Sequence, residues 1–270
     1  MTTTHARLFD VLDPLTSRIV ACSGGIDSLL LATVTHRHNP EATVVAHTVT
    51  PAVPGEGTAR VIDYAKREGW NLSIVRSHEF SDERYLSNPT DRCYFCKSHL
   101  YDAIDAIRSD TDNDDAVVLS GANLDDLSDY RPGLIAAHEH SVRHPYVEAE
   151  VSKVDIRALA RELGLEEAEL AASPCLASRL YTGTRVTPER LKAVEAGEAV
   201  VRRRAGIDVA RCRLRDDDVL IEVPEELRHR VTNDVVADVD LAMRSVHTQL
   251  GTVRLDENPY KQGRAVLRLL

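Results

Sequence analysis

The chain has 270 residues, 43% of them hydrophobic and 28% charged, with a formal net charge of −10. That length can bury a sizeable core in one large or two small domains, and the composition excludes disordered, collagen-like and coiled-coil chains. The acidic balance argues against bulk nucleic-acid binding, and neither a bilayer-length apolar stretch nor a signal pattern in residues 1–18 is present, so a cytoplasmic location without membrane attachment is expected.

The first two-thirds alternates strands and helices. β-branched runs at residues 18–22, 43–49, 72–76 and 116–120 predict buried strands, and helical spacing falls at 28–36, 58–67 and 97–107. Such alternation implies right-handed crossovers and an α/β fold with a doubly wound parallel sheet. A helix over 151–163 follows, with Ser152 as N-cap and Gly164 as stop, and 109–115 reads as an acidic solvated loop. The stretch 174–188 is loop-like. Beyond it come a helix from Pro188 to about Arg204, strands at 211–214 and 219–223 around Asp216-Asp217-Asp218, a helix opened by Pro224, another over 235–249, and a strand at 252–255. We therefore expect residues 1–182 as the larger domain and 183–270 as a smaller α+β domain.

Ser23-Gly24-Gly25-Ile26-Asp27-Ser28 leaves the first strand and opens an apolar helix. Two glycines let the backbone turn sharply and bring its N–H groups close to an anion. The helix start adds aligned donors and partial positive charge, and Ser23 and Ser28 add hydroxyls. A plain glycine-rich turn capped by Asp27 fits the same residues. The hexamer in this setting resembles the pyrophosphate loop of the N-type ATP pyrophosphatases, which cleave ATP between the α- and β-phosphates. That resemblance implies a Rossmann-like, adenine-nucleotide-hydrolase-type domain. ATP would lie on Ser23, Gly24, Gly25, Asp27 and Ser28, with Mg²⁺ at Asp27 and adenine near the second strand at Thr48. Gly121, leaving the fourth strand in Ser120-Gly121-Ala122-Asn123-Leu124-Asp125-Asp126, belongs to the same carboxyl end, where Asn123, Asp125 and Asp126 could meet the ribose, a metal or a substrate. An Asx-rich turn accounts for Ser128 and Asp129.

Five cysteines, an odd number, argue against a disulfide framework. Cys22 and Cys212 sit in strands and read as packing residues. Cys93 and Cys96 form a CxxC at a helix start in Asn88-Pro89-Thr90-Asp91-Arg92-Cys93-Tyr94-Phe95-Cys96-Lys97, and Cys175 lies downstream in Ser173-Pro174-Cys175-Leu176-Ala177-Ser178-Arg179. Three thiolates suit a 4Fe–4S cluster with one iron left open; the bland alternative is that the pair only packs and Cys175 acts alone.

Taken together, SGGIDS, NPTDRCYFCK, GANLDDLSDYRPG, VEAEVSKVDIRALARELGL and SPCLASRL, in that order, resemble LarE, the ATP-dependent sulfur transferases that make the nickel-pincer nucleotide. The resemblance implies that ATP adenylylates a carboxylate of a pyridinium dicarboxylate mononucleotide and that a sulfur nucleophile then displaces AMP to leave a thiocarboxylate. One type in that family sacrifices the sulfur of a lone cysteine matching Cys175; the other carries a 4Fe–4S cluster on three cysteines. With Cys93, Cys96 and Cys175 all present, the cluster form is expected. The resemblance also implies substrate contacts from Ser178, Arg179, Arg211 and Arg213 and from Glu198 or its neighbour Glu195, and a homo-oligomer. Guanidinium groups suit such anions geometrically. A salt-bridged solvent face explains the two glutamates equally well. Some positions depart from the family: Ser120-Gly121-Ala122 precedes the asparagine, the strand 219–223 lacks an arginine, and Gly263-Arg264 lacks a following serine. Alternatives are a tRNA-thiolating enzyme of the same superfamily, disfavoured by the acidic charge, and an amide-forming ATP pyrophosphatase, which has no use for three cysteines.

Overall fold

A computed structural model describes residues 3–110, 115–128 and 131–266. Residues 111–114 of the expected acidic loop, and Asp129 and Tyr130, lie outside the described residues. In chain order the elements are α1 (Thr3–Leu12), β1 (Arg18–Ala21), α2 (Ile26–His38), β2 (Thr43–Thr48), α3 (Gly55–Glu68), β3 (Asn71–Val75), α4 (Glu83–Leu86), α5 (Arg92–Asp110), β4 (Val117–Ser120), α6 (Pro132–Glu139), α7 (Pro145–Glu148), α8 (Lys153–Glu162), α9 (Pro188–Ala205), β5 (Arg211–Arg215), β6 (Asp218–Glu222), α10 (Asn233–Arg244) and β7 (Val253–Leu255). Among these described residues no helix is long and apolar enough to cross a membrane. The chain divides into two compact units, one of Met1–His78 with Cys93–Ser173, the other of Glu79–Arg92 with Pro174–Leu270.

In the first unit the strands pair in parallel in the order β3-β2-β1-β4. Strand pleating sends neighbouring residues to opposite faces. Val20, Val45 and Leu119 pack with Leu29 and Leu30 of α2, Val61 of α3 and Ile156 of α8. Ile19, Ala46 and Val118 face the other way, onto Tyr101 and Ile104 of α5 and Ala136 of α6. Helices therefore cover both faces, as the near-continuous apolar strands require. β2 and β3 lie on one side of β1 and β4 on the other, so the strand order reverses between β1 and β4. The chain leaving β1 goes to α2 on one face and the chain leaving β4 goes to α6 on the other, leaving between them the crevice in which open α/β sheets hold ligands.

In the second unit β5 and β6 are antiparallel, β6 and β7 parallel. Cys212, Leu214, Val219 and Ile221 are fully buried. Gly197 of α9 is required by close packing: a β-carbon there would lie 2.7 Å from Met243 Sδ of α10 and 3.0 Å from Cys212 Sγ. The helix expected from Pro224 is instead a short 3-10 turn over Glu225–Arg230 with no buried residue, because that segment has no apolar face to hold an α-helix against a core. α10 ends at Arg244 rather than near 249, since the Arg244 guanidinium donates to the carbonyls of Leu250 and Gly251, both at 2.7 Å, and turns the chain back.

The sequence reading divides the domains at 182/183; the compact units divide after Ser173, and the second also takes in Glu79–Arg92. Asn88 holds that segment. It is 1% exposed with φ +55°, and its amide donates to the carbonyls of Tyr181 (2.8 Å) and Thr184 (2.9 Å). Gly183 N–H donates back to the Asn88 carbonyl at 2.9 Å, and the Arg92 guanidinium hydrogen-bonds the Asn88 side chain.

Candidate active site

The glycine loop lies at the carboxyl end of β1. Gly24 adopts φ +80°, and a β-carbon on it would sit 2.3 Å from the Gly57 carbonyl oxygen, so only glycine permits this approach to α3. Arg60 Nε donates to the Gly24 carbonyl at 3.0 Å. Ser28 staples the turn: its Oγ accepts from Ser23 N–H at 3.1 Å, donates to the Gly25 carbonyl at 3.0 Å and lies 3.2 Å from Ser23 Oγ. Gly25, not Asp27, is the N-cap of α2, and Asp27 stands in the first turn beside the positive helix end. The first N–H groups of that helix have no acceptor within it and point out of its start.

Two further strands close on the loop. A β-carbon on Gly121, just past β4, would lie 3.1 Å from Asp27 C and Ser28 N, so the β4 exit packs directly on the helix start. At the end of β2, His47 Nδ1–H donates to the Cys22 carbonyl at 2.8 Å and Nε2 accepts from Thr58 at 3.0 Å. Burial holds the His47 pKa below 6.5 against the pull of that carbonyl, which keeps the ring neutral in this tautomer. The next residue, Thr48, carries a buried hydroxyl without a hydrogen-bond partner among the described residues. At the end of β4, Ser120 Oγ lies 2.8 Å from His144 Nδ1.

Lys153, at the start of α8, is the residue that motif reading missed. Its ammonium forms an ion pair with Asp27, each side chain about one-third exposed. Tyr146 O–H donates to the Asp27 carbonyl at 3.0 Å. The start of α8 is itself fixed by the Ser152–Asp155 capping box and by Lys153 N–H donating to Asp125 at 2.7 Å. Asp125 is thus spent on a helix cap. Asn123 Oδ1 accepts from Asp125 N–H at 3.1 Å, and Asp126 accepts from Asn123 N–H at 3.1 Å and pairs with Arg131 at 2.8 Å. These three side chains shape the turn rather than reach for a ligand. The signal for Lys153 lay in VEAEVSKVDIRALARELGL, where the lysine follows the N-cap and so sits at a helix start.

In the second unit Cys175 precedes a 3-10 turn, Leu176–Arg179. Arg179, 3% exposed, grips Glu198 of α9 through Nε and a terminal nitrogen, both at 2.9 Å. Its other terminal nitrogen donates to the carbonyls of Pro174 (2.7 Å) and Cys175 (3.2 Å) and to Ser178 Oγ (3.1 Å). Burial works against the guanidinium charge, but the hydrogen bonds and charge of Glu198 outweigh it and raise the pKa. Glu198 also accepts from Cys212 N–H at 3.2 Å, so it is a buried partner and not part of a solvent face. Arg213 pairs with Glu222 at 2.9 Å and donates to the carbonyls of Ser178 (2.9 Å) and Lys261 (3.2 Å). Arg211 donates to the Ala210 carbonyl at 2.7 Å and its guanidinium lies 5.4 Å from the Tyr260 ring centre; burial, then the Arg179 charge, lower its pKa. Arg179, Glu198, Arg211, Arg213 and Ser178 therefore form one buried polar network behind Cys175, every guanidinium already engaged by the protein.

The cysteines sort by environment. Cys22 and Cys212 are buried, and burial pushes the Cys22 thiol up to about 11 and the Cys212 thiol well above its ordinary value. Cys93 is exposed, Cys96 and Cys175 half-buried, and none is in a disulfide. The three accessible thiols are thus the ones whose chemistry suits iron–sulfur ligation. Cys93 and Cys96 stand one turn apart near the start of α5 in the first unit, Cys175 in the second. Neither unit by itself gathers three His, Cys, Asp or Glu side chains around one metal position among its described residues.

No model of a known protein family matches the chain. Among characterised and uncharacterised proteins, it is 35% identical over 217 residues to an uncharacterised protein of Synechocystis sp., covering 80% of each. An uncharacterised protein of Methanocaldococcus jannaschii is 30% identical over 184 residues, 68% of this chain and 69% of that one. The pyridinium-3,5-bisthiocarboxylic acid mononucleotide synthase of Lactiplantibacillus plantarum is 34% identical over 229 residues, 83% of this chain and 81% of the synthase. With a parallel sheet carrying the SGGIDS loop and a relative aligned over most of both lengths, the chain belongs to the family of that synthase, the LarE family.

Proposed function

We propose that this chain is an ATP-dependent sulfur transferase that converts a carboxylate of a pyridinium dicarboxylate mononucleotide into a thiocarboxylate. The observation that carries the reading is the Lys153–Asp27 pair at the start of α2, in the crevice where the strand order reverses. A helix start, two serine hydroxyls and an ammonium in one place suit a triphosphate, and the unpartnered Thr48 hydroxyl at the end of β2 suits its nucleoside. The relative's name supplies the acceptor.

The carboxylate of the acceptor attacks the α-phosphorus of ATP, and pyrophosphate leaves with the bonding electron pair. Gly24, Gly25 and the first amides of α2 hold the departing pyrophosphate, while Lys153 offsets its charge and Ser23 and Ser28 fix the loop around it. Asp27 is the carboxylate that would hold Mg²⁺, which supplies further charge neutralisation. A sulfur nucleophile then attacks the acyl carbon and AMP leaves, giving the thiocarboxylate; adenylylation makes this an easy displacement. Cys93, Cys96 and Cys175 would hold a 4Fe–4S cluster through their accessible thiols, and bound there the group supplies the sulfur to be transferred. Arg179, buried behind Cys175, positions that cysteine through its two backbone hydrogen bonds, with Glu198 fixing the guanidinium. Ser178, Arg211 and Arg213 complete the substrate side.

The test is pyrophosphate release by anaerobically purified protein, with mass analysis of the acceptor. Release that requires the pyridinium dicarboxylate mononucleotide, with oxygen replaced by sulfur in the product, is expected. Release stimulated by unmodified tRNA instead overturns the assignment. Iron and acid-labile sulfide should co-purify and fall when Cys93 and Cys96 are replaced by alanine; a colourless, iron-free wild type overturns the cluster.

A further inference from the structure

The polar face of the small sheet carries more positive charge than the catalytic network uses. Strand alternation puts Arg211, Arg213 and Arg215 on one face of β5, with Cys212 and Leu214 buried on the other. Arg213 stands opposite Leu220 of β6, which stands opposite Arg254 of β7, so arginines of the two outer strands flank an apolar residue of the middle one on this face. Beside these arginines is a cavity of about 630 Å³ lined in part by Arg215, Arg254, Lys261, Arg264, Tyr181 and Glu257. None of Cys175, Ser178, Arg179, Glu198, Arg211 or Arg213 lines it. Its volume falls in the range of small-molecule pockets.

The wall opposite the strands is fixed in place. Tyr260 N–H donates to the Val223 carbonyl at 2.9 Å, and Thr182 N–H to the Ala265 carbonyl at 2.9 Å. Arg264 is clamped by Glu222 (3.0 Å) and Asp256 (3.3 Å) and donates to the Pro259 carbonyl at 2.9 Å. The Arg264 charge is thereby matched by carboxylates of the protein. Arg215, Arg254 and Lys261 are different: all three are exposed, and among the described residues none has an acidic partner. The Arg215 guanidinium lies 5.2 Å from the Tyr181 ring centre, which steadies it without neutralising it. The acidic residues on the lining are Glu257 and Asp256, and Asp256 is paired with Arg264. Three cations without an acidic partner among the described residues line one cavity, in a chain of net charge −10, and make a local positive field that a compact anion relieves.

We propose that this cavity is a second anion-binding site, separate from the glycine loop, that takes the phosphate group of a small molecule through Arg215, Arg254 and Lys261. Two guanidinium groups and an ammonium suit a doubly charged phosphate, with Arg supplying paired donors and Lys a point charge. The phosphate is either free pyrophosphate or the monoester of a mononucleotide. The site goes beyond the sulfur-transfer reading and stands or falls without it.

Calorimetric titration of the full chain at low salt, with pyrophosphate and separately with nicotinamide mononucleotide, distinguishes the sources. Wild type is expected to take up two equivalents of pyrophosphate, one at each site. R254E/K261E should weaken one of the two classes at least about tenfold, R254K/K261R should keep both, and Lys153→Ala should weaken the other class. If the mononucleotide, and not pyrophosphate, is the ligand lost in R254E/K261E, the site takes a phosphate monoester. Melting curves of the charge-reversed variant confirm its fold, since both residues are exposed. Titrations of R254E/K261E that match wild type with both ligands overturn the proposal, whether wild type takes up one equivalent of pyrophosphate or two.

Discussion

Replacing Arg179 by Met tests the buried network behind Cys175 directly. The substitution removes two 2.9 Å hydrogen bonds to Glu198 and three to Pro174, Cys175 and Ser178. Glu198, 2% exposed, would keep among the described residues only Cys212 N–H at 3.2 Å to satisfy a full negative charge. Removing one partner of a desolvated pair in this way costs about 3–5 kcal/mol, whereas a surface pair costs about 0–1 kcal/mol. At roughly 4 °C per kcal/mol, melting of the variant should fall by roughly 12–20 °C. The double variant R179M/E198L removes both charges and should recover most of that loss, giving a coupling of at least about 2 kcal/mol in a double-mutant cycle. Urea unfolding followed by circular dichroism measures all four corners. Activity should behave differently: the double variant regains stability but not sulfur transfer, because the carbonyls of Pro174 and Cys175 still lack their donor. A loss below about 1 kcal/mol in R179M, or a double variant no more stable than the single, refutes the reasoning.

Lys153→Ala should lower pyrophosphate release about 10²-fold while leaving the melting temperature nearly unchanged, because the Asp27 pair is part-exposed; equal release by variant and wild type counts against the phosphate role. Gly24→Ala places a β-carbon 2.3 Å from the Gly57 carbonyl at φ +80°, so it should cost at least about 2 kcal/mol and abolish nucleotide binding in an equilibrium titration; normal binding would show that the loop does not need this approach. Burial lowers the pKa of both His47 and His144 below 6.5, so the unfolded chain binds more protons than the folded one as pH falls. Stability should therefore be full above about pH 7 and decline from pH 6.5 toward pH 5, by at most about 1.4 kcal/mol per pH unit for each histidine; a flat urea midpoint over that range refutes it.

Much of the first unit was legible because its signals are local. Apolar runs bounded by turns marked β1 to β4 within a residue or two at each end, and Ser152 and Gly164 bracketed α8, with Gly164 at φ +73° as a helix stop needs. SGGIDS marked the loop. What was not legible depends on tertiary partners. Lys153 meets Asp27 across 126 positions of sequence, and nothing in either neighbourhood announces the pair. For Arg179, Arg211 and Arg213 the resemblance implied substrate contacts, and nothing in the sequence announced the protein's own groups that engage each of them once the small sheet and α9 come together. α6 opens with Pro132, which suits a first helical position as well as a turn, so the proline alone does not decide between them. Pro224 has the same ambiguity and resolves the other way, because no apolar face follows it.

The placement of Glu79–Arg92 has a consequence for biosynthesis. This segment leaves the ribosome long before residues 181–186, yet its fixed partners are the carbonyls of Tyr181 and Thr184 and the amides of Gly183 and Val186. The Asn88 side chain, in a left-handed backbone conformation, has nothing to cap until the later stretch has been made. The second unit is therefore completed only after synthesis has passed residue 186, and the dipeptide Arg92-Cys93 joins a segment that waits to a helix that can form at once. A fragment beginning at Pro174 would lack the asparagine that satisfies its own turn, so the C-terminal unit cannot be cut out of this gene as one contiguous piece.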